Sequence, residues 1–245
     1  MPIPTRRSFL ARAAAGLLLA LSSPAAAQGL DATFELSLRG ITGGQIGFKA
    51  TESDGAYAVT AAGVASGLVG AVVDYRFDGQ AEGRVTGGRH VPVRYAERED
   101  DDGEVTNAVT RFRGFAPVDV TFDPPRKPRS YDIEPTAQSG VVDPLTAAYL
   151  VLRDTAPAGA CNQRYDLFDG RHVSRLTLGQ AQAGSDGSIR CAGEYRRIAG
   201  YRPDDRRERR VTPLTFVYAP TGDGMVRVTE VRSPTGFGDG VLRRR

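Results

Sequence analysis

Val118-Asp119-Val120-Thr121-Phe122 alternates apolar and polar residues, and a period of two marks a strand with one buried face. The same beat runs through Phe34/Leu36/Leu38, Val91/Val93/Tyr95, Leu214/Phe216/Tyr218 and Val226/Val228. Between these runs lie Asp-Gly pairs that begin at Asp54, Asp78, Asp102, Asp169, Asp186, Asp223 and Asp239. Asp-Gly accepts the positive φ that tight hairpins demand, so the pairs read as strand-to-strand turns. The 29 Gly and 15 Pro are scattered, with neither an interdomain linker nor an internal repeat. The pattern predicts about ten to twelve antiparallel strands in one domain spanning residues 28–245.

One segment departs from that beat. Asp143-Pro144-Leu145-Thr146-Ala147-Ala148-Tyr149-Leu150-Val151-Leu152-Arg153 opens with a capping carboxylate and a proline at the first helical position, both favourable at a helix start. Leu145, Tyr149 and Leu152 then share a face. A lone helix of about ten residues must bury that face against something larger, and the concave side of a sheet is the nearest candidate. The expected fold is therefore all-β and mainly antiparallel: a strongly curved sheet, an open barrel or half-barrel, wrapping one short amphipathic helix. Ser66 to Val73 offers a second, shorter helical stretch, weakened by Gly67 and Gly70.

Residues 1–27 read as an export signal. Thr5-Arg6-Arg7-Ser8-Phe9-Leu10 is a twin-arginine motif, followed by an apolar run and by Ala25-Ala26-Ala27 before Gln28, a small-residue cleavage site. The run is too short to cross about 30 Å of hydrocarbon, and no transmembrane segment is expected in the mature chain. No Cys follows the cleavage site, so no lipid attachment is expected. Removing 27 of the 245 residues leaves 218 and takes three Arg and no acid away. The balance of 32 Lys+Arg against 29 Asp+Glu thereby falls to neutrality, which argues against a nucleic-acid or polybasic membrane binder. A hydrophobic content of 40% argues against a long disordered chain. The expected location is the periplasm.

Cys161 and Cys191 are the two cysteines. An isolated pair in an oxidising compartment reads as a structural disulfide. A redox or zinc role would need Cys-x-x-Cys spacing or the convergence of His90 and His172, and no motif provides either.

Asp54-Gly55-x-Tyr57, Gly140-x-x-Asp143-Pro144-Leu145-Thr146-Ala147, Cys161, Phe168-Asp169-Gly170-Arg171 and Cys191-x-Gly193-x-Tyr195-x-x-Ile198-x-Gly200-Tyr201 follow one another along the chain. In that order they resemble the exported bacterial domain-of-unknown-function family numbered 3108. The resemblance covers nearly all of the chain after the signal. It implies a secreted β-rich domain and carries no established reaction. In architecture the chain is also similar to periplasmic half-barrels that wrap a helix, lipoprotein carriers among them, an analogy that does not establish function.

Asp169-Gly170-Arg171-His172 gathers an acid, a base and one of two histidines into four residues. Neighbours on a strand point oppositely, so the structural reading is a turn in which Arg171 pairs with a nearby carboxylate. The functional alternative gives Arg171 an anionic head group, which its guanidinium fork suits. No Gly-x-Ser-x-Gly elbow is present, and Ser66 and Ser139 beside glycine are ordinary turn composition. The acidic run Glu97, Glu99, Asp100, Asp101, Asp102 and Glu104 lacks the pattern of a helical calcium loop and reads as a solvated hairpin tip. The mixed-charge stretch Arg202–Arg210 reads as a self-paired wet loop, with contact to lipid phosphates as the alternative.

Two functional expectations follow. The first is a non-catalytic periplasmic protein that binds a lipid or lipoprotein segment in a groove lined by Leu145, Tyr149 and Leu152, with a role in envelope maintenance. The second is an interaction scaffold with a packed core that docks an envelope protein. A hydrolase ranks third, and no catalytic residue, cofactor or metal ligand is assigned. An outer-membrane barrel would need aromatic girdles, and the chain has 8% aromatics and no Trp.

Overall fold

The computed structural model describes residues 28–71, 73–208, 210–235 and 238–245. The export-signal expectation, on residues 1–27, lies outside them. The first half of the chain is a meander of β1 (Gln28–Leu38), β2 (Ile41–Ser53), β3 (Ala56–Ala65), β4 (Tyr75–Thr86), β5 (Arg89–Asp101), β6 (Glu104–Arg113) and β7 (Ala116–Asp123). A one-turn helix α1 (Gly67–Gly70) follows β3, on the shorter of the two helical stretches expected. A crossing segment carries α2 (Pro144–Leu152), and a second meander comprises β8 (Gln163–Phe168), β9 (Val173–Ala183), β10 (Ile189–Ala199), β11 (Val211–Pro220), β12 (Val226–Thr235) and β13 (Gly238–Arg244). Helix α3 (Pro203–Glu208) lies between β10 and β11.

All thirteen strands join one antiparallel sheet in the order β7-β6-β5-β4-β3-β2-β1-β13-β12-β11-β10-β9-β8. The two meanders are thus sewn together where β1 pairs with β13, and β7 and β8 are the edges. The crossing segment spans the gap between these edges. Val141 N–H donates to the Phe115 carbonyl at 3.0 Å, and Val142 forms a parallel bridge to Leu167 of β8.

Local chemistry explains the main elements. Asp54-Gly55 and Asp102-Gly103 have φ of 52°, 71°, 52° and 85°, the paired positive values of a primed hairpin turn. Two of the seven Asp-Gly pairs are not turns. Asp239-Gly240 lies within β13, and Asp78-Gly79 within β4. At Gly79 a Cβ would lie 2.8 Å from the Phe77 ring and 3.0 Å from Leu145 Cδ1, so that glycine admits α2 to the sheet. Strand alternation also breaks at Val93. The β4–β5 register skips it, and this bulge turns Val93 outward while Pro92 and Tyr95 stay inside.

Helix α2 starts as its sequence predicts, with Asp143 accepting from Thr146 N–H at 2.8 Å and Pro144 in the first turn. Its burial corrects the expected single apolar face. Leu145, Thr146, Ala147, Tyr149, Val151 and Leu152 are all buried, so the helix is enclosed around most of its circumference, as a helix without charged residues requires. A disulfide joins Cys161 to Cys191, tying the end of the crossing segment to β10.

Candidate functional site

The turn Asp169-Gly170-Arg171-His172 joins β8 to β9 and packs on β6 and β7, where a Cβ on Gly170 would lie 3.0 Å from Thr110 Oγ1 and 3.3 Å from Val120 Cγ1. Asp169 Oδ1 accepts from the N–H groups of Arg171 and His172 at 2.8 and 2.7 Å, and Oδ2 lies 2.9 Å from His172 Nδ1. The His172 ring stacks on Tyr201 with centroids 4.3 Å apart. Arg171 projects the other way, its Nη2 donating to Glu97 at 3.1 Å and to Glu99 at 3.4 Å on β5. This is the carboxylate pairing expected of it. Burial works against the Asp169 charge, yet the hydrogen bonds and charge of His172, with the backbone donors, hold its pKa below the ordinary carboxylate range.

Glu97 departs from the reading of the acidic run as a solvated tip. Its side chain is 7% exposed and accepts from Tyr95 Oη at 2.6 Å. Burial pushes its pKa up to about 7, with Asp169 and Glu99 adding to the rise while Tyr95 and Arg171 oppose it. Alternation in β5 accounts for this, because Glu97 shares the inner face with Tyr95.

A second polar group surrounds α2. Burial raises Asp143 to about 6 against the hydrogen bonds from Thr146, and Thr146 Oγ1 also lies 2.8 Å from Tyr57 Oη. At the other end of the helix, Glu52 Oε2 lies 2.7 Å from His90 Nε2 and accepts from Tyr149 Oη at 2.9 Å and Arg153 Nη1 at 3.4 Å. Burial opposes the Glu52 charge, but these donors hold its pKa low. Sequence reading missed Glu52 and His90 in this role, because the strands that carry them meet α2 through the fold. Leu145, Tyr149 and Leu152, expected to line a ligand groove, are 4%, 0% and 8% exposed and pack in the core.

A cleft of about 410 Å³ opens beside α2, at the gap between the sheet edges. Arg89 and His90 enter from β5, Phe115 from the β6–β7 turn, Arg164 and Tyr165 from β8, Leu150 from α2, and Arg153 from the C-cap that follows it. The three arginines lie on three separate elements, and no local motif signals their convergence.

In the mixed-charge stretch Arg202–Arg210 and at the C-terminal strand, some arginines pair with acids of this chain. Arg207 pairs with Asp204 in α3, Arg243 with Glu230 at 2.8 Å, and Arg245 with Glu35. Among the solved structures, the chain is similar to a β-barrel-like protein of domain of unknown function DUF1849 from Brucella abortus, at 14% identity and a TM-score of 0.50 over 89% of this chain and 95% of that one. That likeness concerns the fold. No curated protein matches the chain. A family model described as a protein of unknown function, DUF3108, matches residues 33–219, and the chain belongs to that family.

Proposed function

We propose that the protein is an exported, non-catalytic module of the cell envelope that holds a partner protein at its outer surface, around a packed interior. The observation that carries this reading is where the apolar side chains lie. The inside of the sheet is filled by α2 and by Phe34, Tyr95, Phe168 and Tyr218, each no more than 2% exposed. At one end of the sheet, by contrast, Leu36, Leu38, Ile41, Val69 and Val73 are each at least 37% exposed. Leu38 pairs with Ile41 across the β1–β2 turn; a Cβ on Gly43 of β2 would touch Val69 Cγ2 at 3.4 Å. Val93, Val118 and Val211 are also exposed, but singly and on other strands; it is a group of apolar side chains that marks a protein contact.

Cross-linking in intact cells tests the reading. Wild type should yield a discrete protein adduct. Ile41→Asp with Val69→Asp, both at exposed positions, should lose it while the Tm stays within about 2 °C. Native mass spectrometry of protein from a periplasmic extract supplies the opposing outcome. A stoichiometric, extractable lipid that persists when Arg89 and Arg164 are both replaced by Ala would mean an enclosed ligand and would overturn the packed-core reading.

A further inference from the structure

We infer that the cleft beside α2 binds an anionic amphiphile, with Arg89 and Arg164 holding an oxyanion head and Phe115 and Leu150 receiving its apolar end. The inference is independent of the scaffold reading, since the cleft lies outside the packed core.

The charge count of the cleft carries the first step. Arg89, Arg153 and Arg164 line it, with Asp166 as the acid among its walls. Asp166 is committed elsewhere, accepting from Arg175 Nε at 2.5 Å and Nη2 at 3.0 Å. Its approach to Arg164 is 3.8 Å, too long for a hydrogen bond. Glu52 accompanies Arg153 but is shared with His90 and Tyr149. Arg89 has no carboxylate partner among the described residues; its guanidinium lies over the Phe115 ring, 4.3 Å from the centroid. Two guanidinium groups thus face one cleft with donors to spare, and a planar fork of this kind pairs with phosphate or carboxylate oxygens in bidentate fashion.

The walls carry the second step. Phe115, Val142, Leu150 and Tyr165 give the cleft apolar lining, and Phe115 lies directly beneath the Arg89 guanidinium. Its volume of about 410 Å³ falls within the range of small-ligand sites, in which apolar walls with a few converging polar groups are the rule. Gly88, in the β4–β5 turn, has no atom within 4 Å of where a Cβ would stand, so the Arg89 end is open to solvent. An inorganic anion would use half of such a site. An anion carrying an alkyl chain would use both.

The test is titration calorimetry of the folded protein with dodecyl phosphate below its micelle concentration, with inorganic phosphate and dodecyl maltoside in parallel. Dodecyl phosphate should bind one to one, at least tenfold more tightly than either of the others. Arg89→Ala with Arg164→Ala should weaken it at least tenfold. Arg111→Ala, which removes an exposed pair with Asp119 on β7, should leave it unchanged, and far-ultraviolet circular dichroism should show both variants folded. Equal affinity for inorganic phosphate would make the site a free-anion site and overturn the amphiphile assignment. Equal affinity for dodecyl maltoside, no binding at all, or indifference to the double variant would overturn the role of the arginines.

Discussion

The guanidinium of Arg171 lies 3.1 Å from Oε1 of Glu97, joining residues 74 positions apart. Arg171 belongs to the turn after the edge strand β8, and Glu97 to β5 in the opposite half of the sheet. The pair therefore clasps the two edge regions across their gap. It does so beneath the surface, where a carboxylate is costly to ionise.

That cost predicts a dependence on pH. The folded pKa of Glu97 is raised from 4.5 to about 7, so the native state holds a proton that the unfolded chain releases. Its stabilising contribution is complete below pH 4.5 and is lost as pH rises to about 7, by on the order of 3 kcal/mol. Asp143, raised to about 6, slopes in the same direction at lower pH. Urea unfolding should show wild type losing stability between pH 5 and 7.5. Glu97→Gln keeps an acceptor for Tyr95 without the titration and should flatten that decline. A variant with the wild-type slope would remove Glu97 as its source.

Leu145, 4% exposed and seated over Gly79, distinguishes a packed helix from a movable one. Leu145→Ala should cost about 2–5 kcal/mol, as a buried cavity does. Leu145→Asp should unfold the protein, because a carboxylate there has no partner. A Leu145→Asp variant that keeps a cooperative thermal transition would mean that α2 swings out of the sheet.

The strands and the start of α2 were legible because their signals are local: alternation, Asp-Gly turns, and a capping Asp followed by Pro. What failed to show is what the fold assembles from distant parts. Asp78-Gly79 looks like any other turn pair, and its reason is Leu145, far along the chain. Glu97 looks like the beginning of a wet acidic tip, and its depth depends on the Val93 bulge and on Arg171 arriving from the β8–β9 turn. The cleft leaves no mark in the sequence, since Arg89, Arg153 and Arg164 are three among 30 arginines until the topology brings their elements together.

Reduction offers a separate measure of the join between the crossing segment and β10. Cys161 and Cys191 close a loop over a separation of 30 residues. On the loop-entropy account the crosslink contributes about 3–4 kcal/mol by restricting the unfolded chain. Cys161→Ser with Cys191→Ser should lower the unfolding free energy by that amount, with little change in the circular dichroism of the folded state. A loss under about 1 kcal/mol would mean that the unfolded chain is already restrained in this region.

Gly200 decides whether the Asp169–His172 turn is held in place or merely rests there. Its φ is +84°, and a Cβ would lie 2.2 Å from the Arg171 carbonyl oxygen and 3.0 Å from His172 Cα. Both are backbone atoms, so no change of rotamer relieves the contact. Gly103, at φ +85° with nothing within 4 Å, is the control, because alanine there meets only the left-handed backbone penalty of about 1–2 kcal/mol. Gly200→Ala should cost at least about 2 kcal/mol more than Gly103→Ala. By displacing the turn it should also release Arg171 from Glu97, so the pH 5–7.5 decline in stability should change in Gly200→Ala and persist in Gly103→Ala. Equal losses and equal slopes would mean that the turn yields freely, and that the Arg171–Glu97 pair follows the sheet instead of clasping it.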